Sequence, residues 1–120
     1  MADSVKGAVS ISEEVLMDLA GYAALESYGV VGMAAKSIVD EVVQLLPKNK
    51  LRKGVSVSVH PADAENPGQV DVDLNVVIEY GTNLTEVSRN LADRVRFVLT
   101  DVADVVVGHV NVHVLDIKVR

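Results

Sequence analysis

Histidine is well suited to binding a metal ion or moving a proton, and this sequence contains three. His109 and His113 are four residues apart, a spacing that on a helix would place both imidazoles on one metal ion. The segment that contains them, HVNVH, alternates polar and apolar residues, which predicts a strand. Four residues along a strand span about 13 Å, too far for two ligands to share an ion. We therefore predict that His60, His109 and His113 lie on the solvent face of a sheet, with an interface or a weak metal site as alternatives.

Three carboxylates fall on one side of an alternating stretch, QVDVDLNVVIEY, between residues 69 and 80. Paired carboxylates act as acid and base when an enclosed site separates their pKa values. The alternation instead places Asp71, Asp73 and Glu79 on an open face, beside Ser56 and Ser58 of another alternating segment. We predict a solvated face, and therefore a protein that is not an enzyme and that needs neither a cofactor nor a metal.

A GxxG motif is formed by Gly29 and Gly32. In KH domains such a loop clamps a nucleic-acid backbone. The two interior residues here are valines and the nearest cation is Lys36, so we interpret the motif as a structural turn. A small KH-like RNA-binding module remains the alternative function.

Phe97 is the only phenylalanine, and helical spacing places it opposite the apolar residues Leu91 and Val95. If only one side of that helix is buried, Phe97 is exposed, and exposed large apolar residues often mark partner surfaces. Cover by another helix is the alternative. The candidate interaction surface comprises these residues: Phe97, Arg96, Arg89, His109, Asn111 and His113.

The length and composition are those of one acidic domain, 1–120. Hydrophobic residues make up 49% of the chain, and the absence of cysteine excludes disulfides and Cys-ligated zinc. The net charge of −6 opposes binding to nucleic acid, since only one segment is basic: Lys48, Lys50, Arg52 and Lys53. No signal peptide or apolar span is recognisable. The lack of cysteine is compatible with a reducing cytoplasm, and a membrane location would require a partner that holds the protein there.

Three segments alternate as strands with one buried and one wet face: Gly54–His60, Gln69–Tyr80 and Val106–Ile117. Gly7–Ile11 predicts a further brief strand. A first helix is predicted to begin after Ser12, whose hydroxyl can cap it, and to run to about Ser27. Its apolar stripe consists of Val15, Leu16, Leu19, Ala20, Tyr22 and Ala23.

Two more helices are predicted after an apolar connector, Val30–Ala35. The second starts near Ser37 and stops at Pro47. Its inward residues are Ile38, Val39, Val42, Leu45 and Leu46. The third is capped by Thr82 or Asn83 and runs to about Thr100. Its stripe is Leu84, Val87, Leu91, Val95, Val98 and Val102. We predict an α+β two-layer sandwich, a mostly antiparallel sheet of three or more strands with helices packed on one face.

Three blocks of this sequence together resemble one family. They are GAVSISEEVLMDLAGYAALESYGVVGM, then KGVSVSV with VDVDLNVVIEYG, then LTEVSRNLADRVRFVLTDV with HVNVHVLDI. The ordered set, which runs over residues 7–117, is similar to the alkaline shock protein 23 family of envelope stress response proteins, and this resemblance implies a domain core over 7–117. Members commonly carry Thr-Gly between the last helix and strand, where this chain has Thr100 and Asp101.

The resemblance implies a non-enzymatic cytoplasmic protein that is tied to the cell envelope. Such proteins self-associate or dock on an integral membrane partner, and other members are linked to regulation of lipid metabolism. No active-site residue is implied.

Overall fold

A computed structural model describes residues 12–65 and 67–119. The predicted strand over Gly7–Ile11 lies outside these residues. The elements follow in chain order: helix α1 (Glu13–Leu25), strands β1 (Val30–Lys36) and β2 (Val43–Leu45), a 3-10 helix (Lys48–Gly54), strands β3 (Val55–His60) and β4 (Gln69–Glu79), helix α2 (Leu84–Ala103), and strand β5 (Val107–Lys118).

Strand β4 is the centre of a five-stranded sheet. β5 pairs with it in parallel from Val70 to Glu79, so β5 lies along nearly the whole of one edge. β3 pairs antiparallel with residues 69–74 and β1 with residues 76–78. Because β5 fills one edge, β3 and β1 must follow one another along the other. β2 extends the sheet beyond β1, so every pairing except β4–β5 is antiparallel.

The apolar face of the sheet carries the core, as the alternation predicted. Val72, Leu74 and Val76 are fully buried, and both helices cover them. The covering side chains of the helices are Leu16, Ala20, Ala23, Ala24, Val87, Leu91, Val95, Leu99 and Ala103. The predicted α+β architecture, with helices packed against a mostly antiparallel sheet, is confirmed.

The segment from residue 30 to residue 46 is where the predicted elements are wrong. The supposed connector Val30–Ala35 is most of strand β1, and the supposed second helix is a turn followed by β2. Ser37 and Asp40 do hydrogen-bond to backbone N–H groups, but to those of Val39 and Val42, two residues ahead. Such local bonds close turns and compete with helix capping. The hydrogen bonds that β1 makes to β2 and β4 then favour a hairpin over a helix in this segment.

The two real helices begin where they were predicted to begin. Ser12 Oγ accepts from Val15 N at 3.2 Å, and Asn83 Oδ1 accepts from Glu86 N at 3.1 Å. Their ends differ from the prediction, since α1 stops at Leu25 and α2 continues to Ala103. The predicted stripes were also too wide, because four of their members are exposed: Val15, Tyr22, Leu84 and Val102.

The 3-10 helix is attached to α1 through Arg52. Its Nε and Nη2 atoms donate to the two carboxylate oxygens of Asp18 at 2.8 and 2.9 Å, a bidentate pair. The hydrogen bond from Arg52 lowers the pKa of the Asp18 carboxyl and outweighs the smaller effect of burial.

No helix in the described ranges, 12–65 and 67–119, has the length and apolar character to cross a membrane.

Candidate functional site

On the polar face of the sheet, the carboxylate of Asp71 lies between the side chains of two histidines. Asp71 lies on β4, opposite Ser58 of β3. His60, at the end of β3, places its Nε2 atom 2.9 Å from Asp71 Oδ2. On the other side, His109 of β5 donates its backbone N–H to Asp71 Oδ1 at 2.9 Å, and its ring Nδ1 lies 3.4 Å from that oxygen. Three strands thus converge on a single side chain.

Gly108 permits this convergence. A Cβ atom at this position would lie 2.5 Å from Asp71 Oδ1 and would also collide with the side-chain amide of Gln69. That amide donates a further hydrogen bond to Asp71 Oδ1, at 3.3 Å. A glycine at the start of β5 therefore lets the two β4 side chains approach this closely, and a larger residue would displace their ends.

The environment of Asp71 favours its charged form. Partial burial, taken alone, would raise its pKa, but the hydrogen bonds from the His109 N–H and from the rings of His60 and His109 outweigh it. The pKa of Asp71 is consequently lowered below its ordinary value. Asp71 is thus held as a carboxylate that accepts hydrogen bonds.

A second, separate contact lies further along the same strands. His113 Nε2 is 3.1 Å from Asp73 Oδ1, and Asn111, which stands opposite Asp73 in the register, is exposed. His109 and His113 therefore contact different carboxylates, as their spacing on a strand predicts. Within residues 12–65 and 67–119, no group of three His, Asp or Glu side chains is arranged to hold a metal ion.

The polar face is open. The side chain of Asp71 is 22% exposed and that of His109 is 75% exposed. General acid–base catalysis depends on a group placed against a bound substrate in a site that tunes its pKa. What this face offers is a set of hydrogen-bonding groups in fixed positions on adjacent strands. Sequence reasoning named Asp71 and the histidines, but it did not pair them, because strand register is not visible in alternation alone.

The other half of the predicted surface lies on α2. Phe97 is 65% exposed, which confirms the exposed alternative over cover by another helix. Its neighbour Arg96 donates from Nη1 to the carbonyl of Val107 at 2.7 Å and from Nη2 to that of Gly108 at 3.4 Å. Arg96 thereby joins the Phe97 side of α2 to the start of β5, directly before His109. Arg89 is exposed on the same helix.

The two remaining sequence motifs have structural roles. Gly29, at φ +84°, precedes β1, and Gly32 is buried within that strand. The GxxG motif is consequently not a loop between helices. It therefore gives no support to the alternative function, a small KH-like RNA-binding module. The basic segment forms the 3-10 helix, in which Arg52 pairs with Asp18 and Glu14.

One exposed apolar feature was missed by sequence reasoning. Ile38 and Val39 were predicted to face inward on a helix, but they lie at the turn of the β1–β2 hairpin and are 97% and 94% exposed. The signal that could have found them is the pair of turn-forming side chains, Ser37 and Asp40, at its two ends.

Comparisons with known proteins give one consistent result. The model of the alkaline shock protein 23 family, described as having a cell envelope-related function, matches residues 1–119. The chain is 32% identical to the uncharacterized protein YloU of Bacillus subtilis (strain 168), over 94% of this chain and 90% of that protein. It is 38% identical to the uncharacterized protein Spy1614 of Streptococcus pyogenes serotype M6, over 94% of this chain and 89% of that protein.

A further relative is the uncharacterized protein YqhY of Bacillus subtilis (strain 168), at 28% identity over 97% of this chain and 81% of that protein. No solved structure matches the chain. The family match covers almost the full length of the chain. The chain belongs to the alkaline shock protein 23 family, whose function is related to the cell envelope.

Proposed function

We propose that this protein is a non-catalytic envelope stress response protein that acts by binding other protein chains. The binding is either self-association or docking on a membrane-anchored or regulatory partner. In this proposal the protein is cytoplasmic and reaches the inner face of the membrane through that partner. The description of the family supports the link to the envelope.

The observation that carries the proposal is the exposure of Phe97. The side chain of Phe97 is 65% exposed and so buries only a minor part of its surface in the fold. It lies between the charged residues Asp93 and Asp101, one helical turn away on either side. Large aromatic side chains surrounded by polar groups contribute most of the binding free energy in many interfaces.

The surroundings of Phe97 supply a rigid frame for such a contact. Arg96 is tied to the carbonyl groups of Val107 and Gly108, so its guanidinium has little freedom to lose on binding. Beyond it, β5 has one edge with no strand partner in the described part of the chain. An unpaired edge can accept hydrogen bonds from an added strand.

Self-association is tested by sedimentation velocity over a range of protein concentrations, with the full chain and a Phe97→Ser variant. We expect the wild-type chain to form larger species as concentration rises and the variant to remain smaller. Tyr80→Ser, which removes another exposed aromatic ring, is the matched control and should sediment as wild type does.

Docking on a partner is tested by cross-linking in native cells with a photoreactive residue at position 97 or at position 80. Products that form from position 97 alone support the proposal. A wild-type chain that stays monomeric and gives the same products from both positions would show that Phe97 does not mark an interface.

A further inference from the structure

The β1–β2 hairpin ends in a closed turn that presents two adjacent aliphatic side chains to solvent. Glu41 N donates to the carbonyl of Ser37 at 3.0 Å, and Ser37 N donates to the carbonyl of Val42 at 3.0 Å. Ile38 and Val39 lie within this hydrogen-bonded turn and are almost completely exposed. They form a convex apolar point on a structured element. Exposed apolar groups of this kind mark contacts with membranes or other molecules.

Lysines surround the base of this hairpin. Lys36 ends β1, and Lys50 and Lys53 of the 3-10 helix line a groove of about 430 Å³ together with hairpin residues. Lys48 begins the same 3-10 helix. Unlike Arg52, none of these three 3-10 lysines makes an ion pair within residues 12–65 and 67–119. Their charges are available to an external anion, in a chain whose net charge is −6.

The two carboxylates of the hairpin already have partners. Glu41 Oε1 lies 3.8 Å from Lys36 Nζ. Asp40 Oδ1 accepts from Val42 N at 3.2 Å, and the hydrogen bonds from Ser37 and Val42 lower the pKa of Asp40. Asp40 stays charged and offsets one of the three unpaired 3-10 lysines, so the rim of the apolar point keeps a net positive charge from the other two, uncompensated lysines.

We propose that the β1–β2 hairpin docks directly on an anionic phospholipid surface, with Ile38 and Val39 in the interfacial layer and the surrounding lysines on headgroup phosphates. Interfacial binding combines burial of apolar side chains with attraction between Lys or Arg and anionic lipids. An apolar pocket on another protein would also bind Ile38 and Val39. The uncompensated lysines around these two residues favour instead a surface rich in phosphate groups, which an anionic membrane provides. The envelope-related function of the family agrees with such a surface. This contact uses different residues from the Phe97 surface, does not depend on it, and adds a direct lipid contact to the partner-mediated one proposed above.

Binding is tested by co-sedimentation of the full chain with vesicles of phosphatidylcholine alone or mixed with phosphatidylglycerol. We expect the wild-type chain to bind the mixed vesicles, and added salt to weaken that binding. The double change Ile38→Ser with Val39→Ser should weaken binding by about ten-fold or more, since both apolar groups are lost. Tyr80→Ser, another exposed site, should bind as wild type does.

The lysines are tested separately. Lys50→Gln with Lys53→Gln should reduce the preference for mixed vesicles, whereas Lys118→Gln, on β5, should not. Both residues changed in the hairpin variant are exposed, so we expect the variants to retain the wild-type melting temperature, which circular dichroism measures.

Insertion has its own readout, because the chain contains no tryptophan. In a Val39→Trp variant, fluorescence should shift to shorter wavelength when mixed vesicles are added, and in a Tyr80→Trp variant it should not. Failure of the wild-type chain to bind either kind of vesicle would overturn the proposal. It would favour an apolar pocket on another protein as the binding partner of the hairpin. Binding that is unchanged by the hairpin variant would overturn it as well.

Discussion

The backbone N–H of His109 donates a hydrogen bond of 2.9 Å to Oδ1 of Asp71, and this contact ties the start of β5 to the start of β4. The register of the two strands shifts here, since Val70 pairs with Val107 and Val72 pairs with Val110. The extra residue in β5 is a bulge, which leaves backbone groups without ladder partners. The carboxylate of Asp71 accepts from one of these groups.

The stability of the protein should depend on the ionisation of Asp71. Its pKa is lowered in the folded state, so its stabilising contribution is present above its unfolded pKa of about 3.9. The contribution is lost as the pH falls through the folded pKa. Urea unfolding near neutral pH and below about pH 4 should therefore differ less for Asp71→Ala than for wild type. Asp93→Ala, on α2, is the control, and an equal reduction by both variants would contradict this assignment.

Neighbouring substitutions on the two faces of β4 should differ strongly in how much they lower the free energy of unfolding. Leu74 is fully buried, so Leu74→Ala should lower the free energy of unfolding by about 2–5 kcal/mol. Asp73 is partly exposed, and Asp73→Ala should change that free energy by about 0.5 kcal/mol or less. Denaturant titration measures both. Similar losses for the two variants would mean that the face assignment is wrong.

Helix α2 offers the same comparison between two residues only two positions apart. Leu99 is fully buried against the sheet, whereas Phe97 is exposed. We expect Leu99→Ala to cost about 2–5 kcal/mol and Phe97→Ser to cost about 0.5 kcal/mol or less. Thermal and denaturant unfolding are the measurements. A large loss for Phe97→Ser would identify this ring as part of the core and remove the basis of the proposed interface.

Two glycines with positive φ allow the energetic cost of backbone strain to be measured apart from the cost of a steric collision. Gly29 has φ +84°, and a Cβ there would lie 2.6 Å from Val87 Cγ2, whereas Gly81 has φ +93° with no neighbouring atom within 4 Å. Gly81→Ala should cost about 1 kcal/mol through strain alone. Gly29→Ala should cost at least about 1 kcal/mol more, because Val87 must also move. Equal costs would show that Val87 yields freely.

The strongest local patterns of the sequence determined the core of this protein. The alternation along β4, which Val77 alone interrupts, assigns the other side chains of this strand to a buried or a polar face, because the strand period is two. Asn83 and the helical stripe after it define α2, because capping and side-chain spacing act within one element. The exposure of Phe97 follows from the same spacing.

Only the tertiary structure decided the features that depend on pairing between distant segments. Residues 37–46 carry both a helical spacing and turn-forming side chains, and the hydrogen bonds of β2 to β1 settle the choice. That choice exposes Ile38 and Val39, which a helix would have buried. Asp71 meets His60 and His109 because strand register aligns residues up to 38 positions apart, and no local pattern encodes that register.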